Sequence, residues 1–589
     1  MFKNVETIEI VSGKKKNKNF ILKEYYEKNS EKVKNEIILF VSSIKSRKIN
    51  NLKLKKFLNF DKDFSIWDLS LVNEKNVYKS DTILNLTKFI TIKKILKNNN
   101  SKKIILKNFD EKFIYKFKKT EIYKNKKFEI IHTKKYNGGF KEQIHSKINN
   151  SIILSIFYFI LFSLKNLSFI GFDKVEKIKM KLIFFNYFTQ YDQKKLEQGK
   201  FCPKQWPDET YKLNNIFWIN IFLPNKEFKN IHQINNFIKK KKIKNILFIN
   251  NFFNLNILLK ILKTYIVSLY KFYFFVQKFR FKNKYENDNL IFLKEDIKKS
   301  LCCFHLLQNL TYHYLIQNLL EKINNNSSKI FYLFENQPWE KSLIFKCKNF
   351  KLKKIYAYSH TTINYWHLNY FNTKSDNKNH LINYLPKTIL CHSENCRKYL
   401  LNQGYNSKQL IKVSAERFRW ATIKRKINLS KSHRKILVIG DYEKRINFNL
   451  LNIVNHLANE NLNGLKYSIT YKPHPSTFYD LSILKSKVFT TRKNLKEILN
   501  NFEIVVSTNS TAASAEISLV KKKILIFIDY FNLDLSPFKL KNNFRNNFNF
   551  LDHDDLWKLL FCKDKMPKIN KYNFYFQKKY KDNWIKLFK

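Results

Sequence analysis

Apolar runs of strand length recur along this chain between stretches rich in lysine and asparagine. In the middle they fall at residues 181–188, 216–220, 330–334 and 354–358, and in the last third at 435–441, 465–471, 503–506 and 524–528. Helix-length segments separate them. Strands alternating with helices at that rhythm predict βα units and parallel sheets. The first third carries three further runs, at 36–41, 64–69 and 103–106, which predict strands of an N-terminal α/β region. A strand near 388–391 leads into a helical 393–400, and a basic connector spans 424–434. The chain is therefore expected to divide into an N-terminal α/β region at 1–145, a second α/β unit at 146–385 and a third, Rossmann-like unit at 386–589.

Two apolar segments predict helices of a different kind. Residues 151–163 (SIILSIFYFILFS) are apolar, but Lys165 and Asn166 interrupt them before the ~20 residues that cross a bilayer. A buried or interdomain helix is expected, with an in-plane helix against a membrane and a true span left open. Residues 258–275 carry Lys260, Lys263 and Lys271 at roughly helical spacing in an otherwise apolar run, which predicts an amphipathic helix with its lysines toward water.

At 589 residues the chain is too long for a single core, and its 44% hydrophobic and 16% aromatic content is ample for burial. A net charge of +64 ordinarily points to nucleic acid or an anionic membrane. Here lysine, asparagine, isoleucine and phenylalanine are inflated together while glycine, proline and arginine are scarce, the joint bias of an A/T-rich coding sequence. Arginine is the side chain suited to bidentate phosphate and base recognition, so no nucleic-acid partner is expected. The seven cysteines form no CxxC pair and no zinc spacing, which predicts reduced thiols in the cytosol. The first residues, Met1 to Glu6, lack the apolar core of a signal peptide, and export is not expected.

Candidate chemistry sits where strands end. One strand runs into Tyr471-Lys472-Pro473-His474-Pro475-Ser476, and another into Ser507-Thr508-Asn509-Ser510-Thr511, followed by Ala512-Ala513-Ser514-Ala515-Glu516. Ligands of open α/β sheets bind beyond the carboxyl ends of the strands, where a helix N-terminus offers free N–H groups to an anion, so the pair points to a phosphorylated ligand. The two prolines hold the His474 imidazole out of regular structure. There it can donate to a phosphate oxygen or protonate a leaving group, the alternative being an ordinary loop histidine. Lys472, two residues back, shares its sheet face and adds a phosphate contact. Five consecutive hydroxyl or amide side chains exceed what one helix cap needs, although capping explains part of them. Small Ala512 and Ala513 let a phosphate approach the backbone, and Glu516 lies about one turn on, in reach of ribose hydroxyls.

In the middle unit one strand empties into Glu335-Asn336-Gln337-Pro338-Trp339-Glu340 and the next into Ser359-His360-Thr361-Thr362. Glu335, Glu340 and His360 thus fall at adjacent strand ends, as candidates for a general base on an acceptor hydroxyl. A helix-start glutamate with a satisfied histidine is the alternative. Asp441 and Glu443, after Gly440, form a further acidic site at the front of the last unit.

Two Rossmann-like units with strand ends facing across a cleft resemble the GT-B glycosyltransferase architecture. The resemblance is to its sialyl-, polysialyl- and Kdo-transferase and glycerophosphotransferase branches, through His474-Pro475 and residues 507–511. The chain is also similar to a family of bacterial surface-carbohydrate biosynthesis proteins. That likeness rests on Trp67-Asp68-Leu69-Ser70 with Glu74-Lys75, Asn186-Tyr187-Phe188 with Gly199-Lys200-Phe201, residues 335–340, Tyr358-Ser359-His360, the two strand-end motifs and Asn532-Leu533-Asp534-Leu535-Ser536-Pro537. One departure is Val520-Lys521-Lys522-Lys523 before the last strand, where a small-residue turn with Gly-Pro is usual.

The resemblance implies an α/β, GT-B-like fold of two facing Rossmann-like domains with an additional N-terminal α/β region. It implies a metal-independent glycosyltransferase of surface polysaccharide or lipopolysaccharide biosynthesis. The substrate is a CMP-, UDP- or GDP-linked sugar, the acceptor a glycan or lipid-linked glycan, and no cofactor is tightly bound. Glu335, Glu340, His360 and His474 take the catalytic places. Lys472, His474, Pro475, Ser507, Thr508, Asn509, Ser510, Thr511 and Glu516 hold the nucleotide. The location implied is cytoplasmic, with peripheral contact at the inner membrane, where each basic residue adds roughly 1 kcal/mol. Two alternatives stand beside this reading: a catalytically inactive GT-B-like scaffold, and a basic nucleic-acid-binding protein.

Overall fold

The computed structural model describes residues 7–12, 20–99, 103–131, 148, 150–167, 181–189, 191–213, 216–224, 227–243, 245–279, 284–323, 327–379, 383–415, 434–459, 467–474, 484, 487–508, 511, 513–520, 523–529, 531–535, 549–550, 552–561 and 580–589. Most of the apolar runs become strands. They pair parallel in three sheets, and the fold agrees with the α/β class expected, an N-terminal α/β region followed by two Rossmann-like sheets.

The last sheet has six strands in the order Val488–Thr490, Tyr467–Lys472, Arg434–Ile439, Ile504–Thr508, Lys523–Phe527, Asn549–Phe550. Its interior strands are covered on both sides. Ile436 and Val438 face one core with Tyr471 and Val506, while Leu437 and Ile439 face another with Val505 and Ile524. Burial on both faces is why these strands read as continuous apolar runs rather than as alternation.

The middle sheet has seven strands in the order Ile246–Phe248, Ile216–Phe222, Leu182–Phe188, Lys329–Leu333, Lys354–Ser359, Ile389–Cys391, Leu410–Lys412. This moves the boundary expected at 385/386. Ile389–Cys391 and Leu410–Lys412 extend the middle sheet, and the last sheet begins only at Arg434. A strand-helix-strand segment reads the same whichever sheet it joins, and only the pairing decides. The C-terminal helix Lys581–Phe588 also returns to the middle unit. There Trp584 packs edge-on to Tyr358 (4.9 Å) and donates from Nε1 to the Ser414 carbonyl (3.2 Å).

The N-terminal sheet is small: Phe20–Ile21, Thr7–Val11, Lys103–Lys107, Phe128–Ile131. Two of the three strands expected in this region are otherwise. Residues 36–41 lie in helix Ser30–Ser46, because Val33, Ile37, Val41 and Ile44 continue a helical stripe beyond the apolar run. Leu39, inside that run, is 61% exposed. Residues 64–69 split into a two-residue strand, Phe64–Ser65, and a 3-10 turn, Ile66–Leu69, which the Ser65 hydroxyl caps by accepting the Trp67 N–H (3.2 Å). The N-terminal region also touches the last unit. Tyr26 donates to the Asn532 carbonyl (3.0 Å), and Asn364 of the middle unit donates to that of Leu535 (2.5 Å).

Both apolar segments form helices, Ile152–Leu167 and Leu255–Lys278, and none among the described residues is long and apolar enough to cross a membrane. The lysines of the second do not all turn to water. Lys263 is exposed, but Lys260 and Lys271 are half-buried, and Lys271 Nζ donates to the Asn59 carbonyl (2.5 Å).

Candidate functional site

In the last sheet the strand order reverses between Arg434–Ile439 and Ile504–Thr508, so the connections leave a crevice beyond their carboxyl ends. Three motifs meet there. Gly440 follows the first strand and donates its N–H to the Lys472 carbonyl (2.9 Å). A side chain at this point has no room: a β-carbon would lie 2.3 Å from Tyr471 Oη and 2.9 Å from Asn447 Oδ1. That close approach lets Asn447 Oδ1 accept both the Tyr471 hydroxyl (2.8 Å) and the Asp441 N–H (3.1 Å).

Asp441 is 1% exposed, and its carboxylate accepts the Thr508 hydroxyl from across the reversal and the Glu443 N–H (2.8 Å). Glu443 in turn accepts the Ile446 N–H (2.9 Å) at the start of helix Lys444–Asn459. Asp441 and Glu443 are therefore committed to holding the loop. What they present outward is Tyr442, whose exposed ring meets His474 at 5.6 Å and 77°.

His474 sits past the end of Tyr467–Lys472 with its ring half-buried. Burial, helped by the Lys472 charge, lowers its pKa to about 4. The ring is neutral at pH 7, with one N–H to donate and one lone pair. Burial also lowers the Lys472 ammonium. Ser507 and Thr508 end Ile504–Thr508, on the other side of Arg434–Ile439, and both are fully buried. The Ser507 hydroxyl has no hydrogen-bond partner among the described residues. Thr511 behaves as a cap: its Oγ1 accepts the Ala513 N–H (3.3 Å), and its carbonyl accepts the Ser514 hydroxyl (2.7 Å). Glu516 is half-buried on helix Ala513–Leu519. Pro475, Asn509, Ser510 and Ala512 lie outside the described residues.

The middle sheet reverses in the same way, between Leu182–Phe188 and Lys329–Leu333, and Glu335 stands at that reversal. Its carboxylate accepts Gln337 Nε2 and approaches His360 Nε2 at 3.5 Å, so two of the three expected acceptor-side groups do meet. Glu340 does not join them. It is buried, with its oxygens on the N–H groups of Glu335, Asn336 and Gln337 at 3.0 Å each. Burial pushes its carboxyl up against the pull of those N–H groups, with the Glu335 charge adding to the rise. Glu340 thus holds the 335–337 loop, in which Asn336 adopts φ 55°. Its place was readable from Pro338 as a helix start, which makes Glu340 a capping residue.

Two residues join the two reversals that sequence reasoning did not single out. Tyr78, from the N-terminal region, has its hydroxyl 3.0 Å from His367 Nε2 of the middle unit. Its ring packs edge-on to Tyr442 of the last unit (6.1 Å, 90°). The rings of His367, Tyr78, Tyr442 and His474 therefore form a continuous line between the units. Burial lowers His367 to about 4, the Lys34 charge contributing. The only sequence signal was proximity: Tyr78 follows Glu74-Lys75 by three residues. Beside Tyr78 opens a cavity of about 310 Å³, lined by Lys79, Ser80, Lys112, Lys299, Glu443 and Leu535 among others.

No family model matches the chain, and no curated protein matches it. Solved structures similar to it include the UDP-GlcNAc 2-epimerase from Neisseria meningitidis bound to UDP-GlcNAc, at 12% identity and TM-score 0.33, covering 59% of this chain and 82% of that one. Another UDP-N-acetylglucosamine 2-epimerase shows 9% identity and TM-score 0.36, covering 67% and 92%. The alpha,alpha-trehalose 6-phosphate synthase from Burkholderia multivorans shows 8% identity and TM-score 0.31, covering 66% and 92%. At these identities and TM-scores such likenesses assign neither a ligand nor a reaction to the chain.

Proposed function

We propose that this protein is a GT-B-type glycosyltransferase that moves a sugar from a nucleotide-activated donor to a glycan or lipid-linked acceptor, in the assembly of surface polysaccharide or lipopolysaccharide on the cytoplasmic side of a bacterial membrane. The observation that carries the reading is the convergence of Asp441, His474 and Ser507-Thr508 at the carboxyl ends of three adjacent parallel strands, at the reversal of strand order. A crevice of that origin is where open parallel sheets take ligands.

In this reading the donor's phosphate lies against His474 and Lys472. As the anomeric C–O bond to the nucleotide breaks, charge grows on the phosphate oxygen. The neutral His474 imidazole donates its N–H to that oxygen and Lys472 adds positive charge, the kind of fixed donor worth about 3 kcal/mol where single donors have been removed. The Ser507 hydroxyl supplies a further polar contact, and Glu516 reaches the ribose. Across the cleft, Glu335 takes the proton of the acceptor hydroxyl as that oxygen bonds to the anomeric carbon, and His360 orients the carboxylate.

The test is saturation-transfer NMR of the protein with CMP, UDP and GDP and their sugars, paired with His474→Ala. Binding of one nucleotide class is expected, with transfer in the variant reduced at least ~100-fold and the circular dichroism spectrum unchanged. Wild-type turnover in the variant sinks the assignment of His474. Absence of binding by every nucleotide favours the inactive scaffold.

A further inference from the structure

Two helices of the middle unit carry apolar side chains on their outward faces as well as on the faces they pack into the core. In Ile152–Leu167 the inward positions are Phe159 with Ser155 and Ser163, and Ser155 Oγ donates to the Ser151 carbonyl (2.6 Å). Ile153, Phe157, Ile160, Leu161 and Leu164 point outward, with Ile153 78% exposed. In Leu255–Lys278, Ile257, Ile261 and Phe275 point inward, and so do three polar side chains, Thr264, Tyr265 and Ser268. They engage the Tyr314 hydroxyl (2.7 Å), the Cys302 carbonyl (2.6 Å) and the Leu301 carbonyl (2.6 Å). Leu259, Ile266, Tyr270, Tyr273 and Val276 point outward, with Ile266 65% exposed. A helix that faces only water carries polar side chains on its outer side.

Both helices pack against helix Phe304–Glu321. Tyr158 packs edge-on to Phe304 (4.9 Å), two residues from the Cys302 carbonyl that Tyr265 holds. Phe162 meets Phe253, just ahead of the second helix (6.5 Å). Their charge has one sign: the sequences of both helices contain lysines and no aspartate or glutamate, and Lys263 and Lys278 are exposed among the apolar side chains. Tyr270 and Tyr273 add the amphipathic rings that favour a headgroup region.

We propose that the outward faces of these two helices dock the protein on a bilayer surface carrying anionic lipids, with the helices lying in the interface rather than crossing it. The apolar side chains enter the boundary of headgroups and chains, and the lysines meet lipid phosphates. A second copy of the chain fits the face poorly, because it would set lysines against lysines. The proposal touches the transferase reading only in placing the active face near a lipid-linked acceptor. Vesicle binding needs neither donor nor acceptor, so the two can fail separately.

The experiment is co-flotation of the full chain with phosphatidylcholine vesicles, with and without phosphatidylglycerol. Binding is expected only with phosphatidylglycerol. The double variant Ile266→Asn, Tyr270→Asn should weaken it more than ~10-fold through the lost apolar contact, and Lys263→Gln about fivefold. A charge control, Lys239→Gln, Lys240→Gln, Lys241→Gln, removes more charge from the end and C-cap of helix Ile231–Lys240 and is expected to change binding little. Melting curves confirm that each variant folds. Three results overturn the proposal: no vesicle binding; a control that loses as much as the double variant, which makes bulk charge the cause; or concentration-dependent self-association that the double variant abolishes in place of vesicle binding.

Discussion

Gly440→Ala tests how the nucleotide-side crevice is built. The added β-carbon would stand 2.3 Å from Tyr471 Oη and 2.9 Å from both Tyr471 Cζ and Asn447 Oδ1. Comfortable contact needs about 3.5 Å, so the hydroxyl must withdraw by about 1 Å. It has nowhere to go, because Tyr471 is fully buried among Ile436, Val438 and Val506. Overpacking of this kind costs ~1–3 kcal/mol, and losing the Tyr471–Asn447 hydrogen bond about 1 more. Against this, alanine restricts the unfolded chain and returns ~0.4–1 kcal/mol. Gly440 is not in the left-handed region, so no backbone strain enters. The net expectation is a loss of about 2–3 kcal/mol.

A chain of several units need not unfold in one step, so the measurement must be local. Hydrogen exchange of peptides covering Arg434–Ile439 and Tyr467–Lys472 should accelerate about 30- to 150-fold in the variant. Tyr471→Phe alone should cost about 1 kcal/mol. In the double variant the 2.3 Å contact is gone, so the two losses should fall short of their sum by about 1 kcal/mol. Exchange within about threefold of wild type, or strict additivity, refutes the reasoning.

Thr508→Val removes the hydroxyl that the buried Asp441 carboxylate accepts, and should destabilise the last unit by ~1.5–3 kcal/mol in the same exchange measurement. His367 has a folded pKa of about 4, below its ordinary 6.5, so it contributes stability that is lost as pH falls from about 6.5 toward 4. His367→Gln should therefore flatten that part of the stability–pH curve by up to ~1.4 kcal/mol per pH unit, and parallel curves of urea midpoint against pH would show that His367 does not titrate in this way. Glu335→Gln should leave nucleotide binding near wild type while cutting transfer at least ~100-fold, as expected of a base on the acceptor side, and loss of binding instead would move Glu335 to the donor.

The strands of the middle and last units were legible because they are covered on both faces: a run such as Ile504–Thr508 has no choice of side to expose, and its apolar character shows without reference to neighbours. The same reasoning failed at 36–41, where a short apolar run is ambiguous between strand and helix and only its flanks, Val33 and Ile44, declare the helical stripe. It failed again at 385/386, because strand pairing is a relation between distant segments and leaves no local mark.

The candidate site divides along the same line. That His474 and Ser507-Thr508 follow strands is a local property, carried by runs of apolar residues ending in polar ones, and it is written in the chain. That Asp441 meets Thr508, that Glu340 is consumed by three backbone N–H groups, and that Tyr78 bridges His367 and Tyr442 are facts of distance between residues far apart in order. So is the outward apolar face of the two helices. Composition marks them as apolar, but which side is inside depends on where Thr264, Tyr265 and Ser268 find Tyr314, Cys302 and Leu301 to bond. Local patterning sets the elements, since it acts through the period of a helix or the cover of a strand. Partners, burial and therefore chemistry are set by packing, because a buried polar group is stable only where the rest of the fold supplies what it must bond.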